Sequence, residues 1–380
     1  MLCVCKKFLL LFLFVLNSVI FAQTEKITKS GLETASFDVF SESYDNYQNP
    51  FFWNQSCVKK ISVYSGIYDT SMNIACAGFM SPKLYSAFSY TEKITNYKWW
   101  PQNMTDESWT FLLGWENFML KGGYYDFCYS EGKGTAEPYL FFGKNWDLKQ
   151  NILGVTVGFD VAMQFAGGSK MDVYQNTGHL LAFYGNDSTN GITFEYKITG
   201  TFPAKHNVTN VHNVPFLHRI SSSYGKVWQI LPELKAGIHP ALAVNINAVN
   251  PTAKLNNFLP EKNQFDFYFA LPLALEFYPA NQDLFSIITS FKMDIYYASF
   301  DHLGYDGIGS DNYSGWVPGI GLGVGCNFDF SDKGSLNIGL NYTACPNVTE
   351  NFSKNEYDIK AISVHALLES PITVSLCLNF

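Results

Sequence analysis

The sequence is poor in charge, and above all in arginine. Only 15% of its 380 residues are charged, and Arg219 is the only arginine. The formal net charge of −8 becomes −10 without Lys6 and Lys7, which belong to an N-terminal stretch that we expect to be removed. Nucleic acid attracts basic proteins, so a chain this acidic argues against it as a partner. The lone arginine also excludes a pore lined by an arginine ladder.

Long apolar runs are lacking beyond the first 22 residues. Lys6 and Lys7, the apolar run 8–21 and the small residue Ala22 are typical of a secretory signal peptide over residues 1–22. A permanent anchor needs about 20 apolar residues, and this run is shorter and contains Asn17 and Ser18. No later stretch is long enough for a spanning helix, so a membrane protein with this sequence must be a β-barrel.

Motifs for metal binding and catalysis are missing as well. The cysteines beyond the signal are scattered, without the short repeated spacing of a zinc site or a disulfide framework. The seven histidines form no HExxH pair, and no serine lies in a G-x-S-x-G elbow. Three evenly spaced aspartates in the segment 300–316 do not follow the EF-hand order. We therefore predict no catalytic residue, no metal site and no cofactor.

The sequence has an abundance of apolar residues that alternate with polar or small ones. It is 47% apolar and 17% aromatic. From Val155 to Phe165 every odd residue is apolar and the residues between are small or polar, and the segments 192–199 and 322–330 repeat the pattern. A period of two predicts β-strands. These strands are about 10 to 16 residues long, whereas strands in globular proteins average about five to six.

Alternation alone leaves a soluble β-sandwich open as well as a barrel. Strand length, a second face rich in Gly, Ser, Thr and Asn, and aromatic residues near strand ends favour the barrel. Short connections, among them Leu120–Gly122 and Ser221–Gly225, are expected to alternate with long ones. The predicted fold is all-β: a transmembrane antiparallel up-and-down barrel of about 14 to 16 strands over residues 58–380. Residues 23–57 are either a periplasmic tail or a segment inserted into the lumen, and 208–220 is the least certain strand.

The end of the chain carries the clearest resemblance to a known class. The final strand is predicted to run unbroken from 362 to 380, with a bulge at Pro371. Its last apolar residues alternate and end on an aromatic ring. They are Ile372, Val374, Leu376, Leu378 and Phe380. Together with the signal and the alternating strands, this ending resembles bacterial outer-membrane β-barrels of the porin type, in which the last strand is the signal for the barrel-assembly machinery.

A narrower resemblance is to fatty-acid channels of the FadL type. Those barrels have about 14 strands and an N-terminal hatch with an Asn-Pro-Ala motif. Here the corresponding tripeptide is Asn49, Pro50 and Phe51, so the third residue departs from the motif.

One face of the predicted barrel is expected to line its lumen. The charged residues and one histidine predicted there are Asp160, Glu195, Lys197, Lys235, His239, Asp266, Glu276, Lys292, Asp294 and Asp329. Carboxylates outnumber lysines in this set, which would favour cations in a water-filled pore. His239 and His365 are interpreted as polar lining residues; a catalytic role is the alternative.

These observations predict a protein of the bacterial outer membrane that allows small solutes to pass. Its expected partners are outer-membrane lipid, the barrel-assembly machinery and the solutes, with no nucleic acid. A barrel that acts in surface adhesion through its external loops is the alternative from another class, followed by a barrel hydrolase.

Overall fold

The computed structural model describes residues 58–66, 69–95, 104–129, 134–149, 152–166, 170–187, 190–203, 216–248, 262–279, 284–303, 310–330, 334–344 and 372–379. The predicted signal peptide, the segment 23–57, His365 and Phe380 lie outside these residues. Within them, no helix is long and apolar enough to cross a membrane.

Seventeen strand segments make up almost all of the described chain. They are β1 (Val58–Gly66), β2 (Asp69–Ser81), β3 (Leu84–Thr95), β4 (Met104–Trp115), β5 (Phe118–Tyr129), β6 (Gly134–Lys149), β7 (Leu153–Ala166), β8 (Lys170–Asp187), β9 (Asn190–Pro203), β10 (Phe216–Leu231), β11 (Leu234–Ile238), β12 (Ala241–Ala248), β13 (Lys262–Phe277), β14 (Phe285–Leu303), β15 (Ser310–Asp329), β16 (Ser335–Ala344) and β17 (Ile372–Asn379). Neighbouring strands in the sequence pair antiparallel, except that β11 and β12 both pair with β10 and β13.

The sheet closes on itself because β1 pairs with β17 as well as with β2. In the closing register Lys60 lies opposite Asn379 and Ile61 lies opposite Leu378. Closure leaves no unpaired edge, so each strand has a hydrogen-bonded neighbour on both sides. The predicted antiparallel barrel is confirmed.

β11 and β12 are two halves of one interrupted strand, so the barrel has 16 strand positions. Both halves lie between β10 and β13. The gap falls at His239 and Pro240, beside Pro272 of β13. Proline has no N–H to give to the ladder. The neighbouring donors still bond, since the N–H of His239 reaches the Pro272 oxygen at 3.1 Å and that of Tyr224 reaches the Pro240 oxygen at 3.0 Å.

Tight turns join strand pairs at one end of the barrel, which we call the short-turn end. Two of the predicted turns were wrong: the β4–β5 turn is Glu116–Asn117 and not Leu120–Gly122, and the β10–β11 turn is Pro232–Glu233 and not Ser221–Gly225. Glu116 adopts a positive φ of 51°. Its carboxylate accepts a 2.7 Å hydrogen bond from Lys83 in the adjacent turn, which raises the pKa of Lys83.

The connections at the opposite end include the residues 204–215, 249–261 and 345–371, which lie outside the described structure. They contain most of the segment 208–220, whose described part begins with β10 at Phe216. The expected single strand through residue 362 also falls largely outside, and β17 begins at Ile372.

The two faces of the barrel wall differ in chemistry and in exposure. Phe159 on β7 is 48% exposed and Leu322 on β15 is 54% exposed, and most other large apolar side chains of the sheet share their face. Polar residues such as Thr156 and Glu195 alternate with them and are buried. Side chains diverge on the outside of a closed barrel and converge on the inside, so the apolar face is the outer face and the polar face is the inner one.

Candidate functional site: the charged inner face

Nine of the ten positions predicted from the sequence lie at inner-face positions of the strands, and His239 lies in the interruption between β11 and β12. Strand pairing places Lys235 directly opposite Glu276, and it connects Asp266 to Arg219 through Asn245, which lies opposite both. The side chain of Asp266 is outside the described part of the structure. That these side chains contact a solute is part of the function proposed below.

The densest group of charges spans strands β7 to β10. We call it the charged band and define it as Asp160, His179, Glu195, Lys197 and Arg219. Its order follows from the register, because His179 lies opposite Lys197 and Lys197 lies opposite Arg219. Residues from four consecutive strands therefore form one line around the wall.

His179 lies between two carboxylates of the charged band. Its Nε2 contacts Oδ2 of Asp160, and its Nδ1 is 4.0 Å from Oε1 of Glu195. The Glu195 carboxylate also pairs with Nζ of Lys197 at 3.0 Å. Ser221 on β10 donates a 3.4 Å hydrogen bond to the same carboxylate. Glu195 is buried, and these contacts supply the pairing that a buried charge requires.

Phe141 of β6 closes one side of the charged band. Its ring meets the His179 ring edge to face, with centroids 5.2 Å apart. The ring lies over Gly143 and Gly158, where a Cβ atom would overlap it. Glycine at Gly158 thus lets the aromatic ring lie flat on the wall and approach His179.

A second charged group, Lys292 and Asp294, lies on β14. Their side chains form a 2.8 Å ion pair and are 11% and 13% exposed. Asp294 lies directly opposite Gly319 and Lys292 directly opposite Gly321. A Cβ atom at Gly319 would overlap the Asp294 carboxylate. The alternate glycines of β15 therefore make room for the ion pair against the wall.

The third group, toward the short-turn end, is organised by Glu276. Its side chain is fully buried and accepts a 2.7 Å hydrogen bond from Ser286. The opposed Lys235 places Nζ 4.8 Å from the centroid of the Tyr278 ring and 3.1 Å from its hydroxyl. On β15, Asp329 accepts hydrogen bonds from the Asn327 amide at 3.2 Å.

His179 and Arg219 were missed by the sequence-based set, although both occupy inner-face positions. Both residues have the odd or even sequence position of the inner face on their strands. The weak alternation of apolar and polar residues around them made this assignment difficult from the sequence. With them, the charged band holds two carboxylates, Lys197 and Arg219, and it is neutral when His179 is neutral. The cation preference expected from the sequence rested on a set that omitted Arg219.

Ile372, Val374 and Leu376 of the predicted assembly signal lie exposed on the outer face of β17. Leu378 shares their register and pairs with Leu336 and Ile61. Phe380 is outside the described residues, so the assembly role stays a prediction. Among the described residues, no three His, Cys, Asp or Glu side chains are grouped to hold a metal ion.

No protein-family model matches this sequence, and no curated protein matches it. Solved structures with a similar arrangement include a bacterial polysaccharide outer membrane secretin, at 12% identity and a TM-score of 0.45, with 85% of this chain and 97% of that chain covered. CdiB from Escherichia coli is similar at 9% identity and a TM-score of 0.49, over 85% of this chain and 62% of that one. CdiB from Acinetobacter baumannii is similar at 7% identity and a TM-score of 0.46, over 85% of this chain and 59% of that chain. This chain thus spans about three fifths of the length of the CdiB chains, and at these identities and TM-scores their functions do not carry over to it.

Proposed function

We propose that this protein is an outer-membrane channel through which small polar solutes pass, and that the charged band selects among them. One observation carries the proposal: a single closed barrel combines an apolar outer face with a charged inner face. An outer face of Phe, Leu and Val is stabilised by lipid, whereas in water so large an apolar surface would drive aggregation.

The arrangement of the charged band supports selective passage. Asp160 and Glu195 lie on neighbouring strands beside Lys197 and Arg219, so a solute that moves along this wall meets both signs of charge within a few ångströms. Rings of charged side chains set the selectivity of many pores. A zwitterionic or hydrogen-bonding solute suits such a surface better than an apolar one.

The same geometry favours passage over catalysis. A serine hydrolase needs one histidine nitrogen next to the nucleophile and the other next to the orienting carboxylate. In His179 both ring nitrogens are turned toward carboxylates, those of Asp160 and Glu195. Neither nitrogen is then left to activate a hydroxyl group.

The test is single-channel recording in planar lipid bilayers. The protein is first refolded in detergent. Boiled and unboiled samples are then compared by gel electrophoresis, because a folded barrel migrates differently from the unfolded chain. We expect discrete conductance steps from the unboiled protein and none from the boiled control. If the folded full-length protein and a folded variant without residues 24–53 are both silent, the channel proposal is wrong and a barrel that acts through its external loops is favoured.

A further inference from the structure

Two strands carry the same short sequence motif close to the short-turn end. Residues 142–148 of β6 read FGKNWDL, and residues 224–230 of β10 read YGKVWQI. Both copies contain an aromatic residue, a glycine, a lysine, a tryptophan two positions after the lysine and an aliphatic residue two positions after the tryptophan. We call this the lysine–tryptophan motif. In each copy the lysine lies five residues before the last residue of its strand.

Both lysines of the motif lie on the outer face of the barrel. Lys144 lies directly opposite Val157, an exposed residue of the outer face on β7. Lys226 alternates with Tyr224 and Trp228, which are 41% and 44% exposed on the outer face of β10. Each copy of the motif therefore presents one cation and one indole ring to the surroundings of the barrel.

Both lysines also lie level with the tight turn of the preceding hairpin. On β6 the residue after the lysine, Asn145, donates its N–H to the carbonyl of Asn117 in the β4–β5 turn at 2.7 Å. On β10 the residue after the lysine, Val227, donates its N–H at 3.2 Å to Oδ1 of Asn190, the first residue of β9. Turns carry backbone groups that need water or lipid headgroups as partners, so they lie outside the hydrocarbon core. The two lysines are therefore at the boundary between the hydrocarbon core and the headgroups.

The charge of these two lysines is not neutralised by the described part of the chain. Neither Lys144 nor Lys226 forms an ion pair with a described residue. Nζ of Lys144 lies 5.2 Å from the centroid of the Trp146 ring and 5.3 Å from that of the Phe118 ring. The rings hold the ammonium group by cation–π attraction but leave its positive charge in place. At the level of the headgroups, such a cation attracts the phosphate of an anionic lipid.

An apolar groove adjoins Lys226 on the outer face. The groove has a volume of about 520 Å³, and the larger side chains that line it are Trp228, Ile238, Leu273, Leu275 and Phe291. Lys226 lies directly opposite Ile238 of this lining. A cation beside an apolar groove is complementary to a phospholipid, in which acyl chains adjoin a charged phosphate. A free phosphate ion would use only the cation.

We propose that Lys144 and Lys226 each bind the phosphate of an anionic phospholipid in the leaflet at the short-turn end, and that an acyl chain of the lipid at Lys226 lies in the groove. The charges on the outer face near the opposite end have the other sign, since Glu92 lies opposite Glu107 and Glu107 lies opposite Asp126. Anionic headgroups are therefore favoured at the short-turn end. This inference concerns the outer face and does not depend on the passage of solutes.

Native mass spectrometry of the folded barrel in neutral detergent tests the proposal. Phosphatidylglycerol is the anionic probe, and phosphatidylcholine with the same acyl chains is the probe without net charge. The variants are Lys144→Gln, Lys226→Gln, the double glutamine variant and a double arginine variant that keeps both charges. Lys83→Gln is the matched control, because Lys83 lies at the same end of the barrel but is already paired with Glu116 at 2.7 Å. Each variant is first compared in boiled and unboiled samples to establish that it folds.

We expect the unsubstituted barrel to retain up to two molecules of phosphatidylglycerol at concentrations at which phosphatidylcholine is not retained. Each glutamine substitution should remove one bound molecule and weaken binding at its site about fivefold, the usual contribution of one lysine near an anionic surface. The double arginine variant and Lys83→Gln should bind like the unsubstituted barrel. Glycerol phosphate, which has a charged head without acyl chains, should not displace the lipid.

Two results would overturn the proposal. One is equal retention of the two lipids by the unsubstituted barrel, and the other is unchanged binding of phosphatidylglycerol to the folded double glutamine variant. Displacement of the lipid by glycerol phosphate would overturn the assignment of a lipid as the occupant. The measurement involves no transport, so this proposal and the channel proposal fail separately.

Discussion

Lys197 and Arg219 lie directly opposite each other on β9 and β10, on the inner face of the barrel. Two like charges in this position destabilise a sheet unless a neighbouring carboxylate compensates them. For Lys197 this carboxylate is Glu195, which lies 3.0 Å from Nζ of Lys197. A second carboxylate of the group, Asp160, contacts His179. The charges of the charged band therefore depend on one another, and the loss of one residue changes the electrostatic field at all the others.

Lys197→Ala should shift the ion preference of the channel toward cations. The substitution removes one positive charge beside the Glu195 carboxylate, so the permeability ratio of potassium to chloride should rise about twofold or more. Reversal potentials in a salt gradient measure the ratio. Lys144→Ala is the control, because Lys144 lies on the outer face over the Phe118 ring at 5.3 Å. Equal shifts in both variants would contradict the assignment of Lys197 to the pore wall.

Gly319→Ala should destabilise the barrel by about 1–3 kcal/mol, the usual cost of a forced overlap in a packed site. The new methyl group would overlap the Asp294 carboxylate and displace it from Lys292. Unfolding in urea, followed by the difference in migration of boiled and unboiled samples, measures the change. Gly122→Ala is the matched control, since a Cβ atom there meets only Leu140 at 3.4 Å and a backbone oxygen at 3.7 Å. If both variants lose the same stability, the cost belongs to glycine in general and not to the ion pair.

The sequence was sufficient to predict the barrel and to assign residues to its two faces, because apolar and polar residues alternate along most strands. It was misleading where small residues suggested a turn. Gly122 and Gly123 lie inside β5, and Gly123 has no side chain because the Tyr139 ring and the Trp109 carbonyl occupy that space. The contact between His179 and Asp160 could not be predicted from the sequence, because it depends on the register between β7 and β8, which no local sequence pattern specifies.

Pro240→Val should stabilise the barrel by about 0.5–1.5 kcal/mol, the net value of one recovered backbone hydrogen bond. Tyr224 donates to the Pro240 carbonyl at 3.0 Å, and proline has no N–H to complete the exchange. Valine supplies that donor and suits a strand. Pro232→Val in the exposed β10–β11 turn is the control for the greater freedom of the unfolded chain, and it should stabilise nothing. A gain no larger than that of the control would mean that the interruption between β11 and β12 does not depend on the missing donor.

Leu242→Lys and Ala243→Lys test which face of the wall meets lipid, because the two residues are adjacent on β12 and point to opposite faces. Leu242 is 39% exposed on the outer face, and Ala243 lies opposite Ser221 of the inner face. A lysine near the middle of the bilayer costs about 2–4 kcal/mol on the lipid side of a barrel, and it costs much less where water or counter-charges are available. Leu242→Lys should therefore lower the free energy of unfolding by that amount when unfolding by urea is measured in lipid vesicles. Ala243→Lys should fold almost normally, because the Glu195 carboxylate lies on the same face two strands away. In detergent micelles, whose apolar layer adapts around the charge, the difference should shrink. The reverse order of stabilities in vesicles would place the apolar face inside, and both the channel and the charged band would then have to be abandoned.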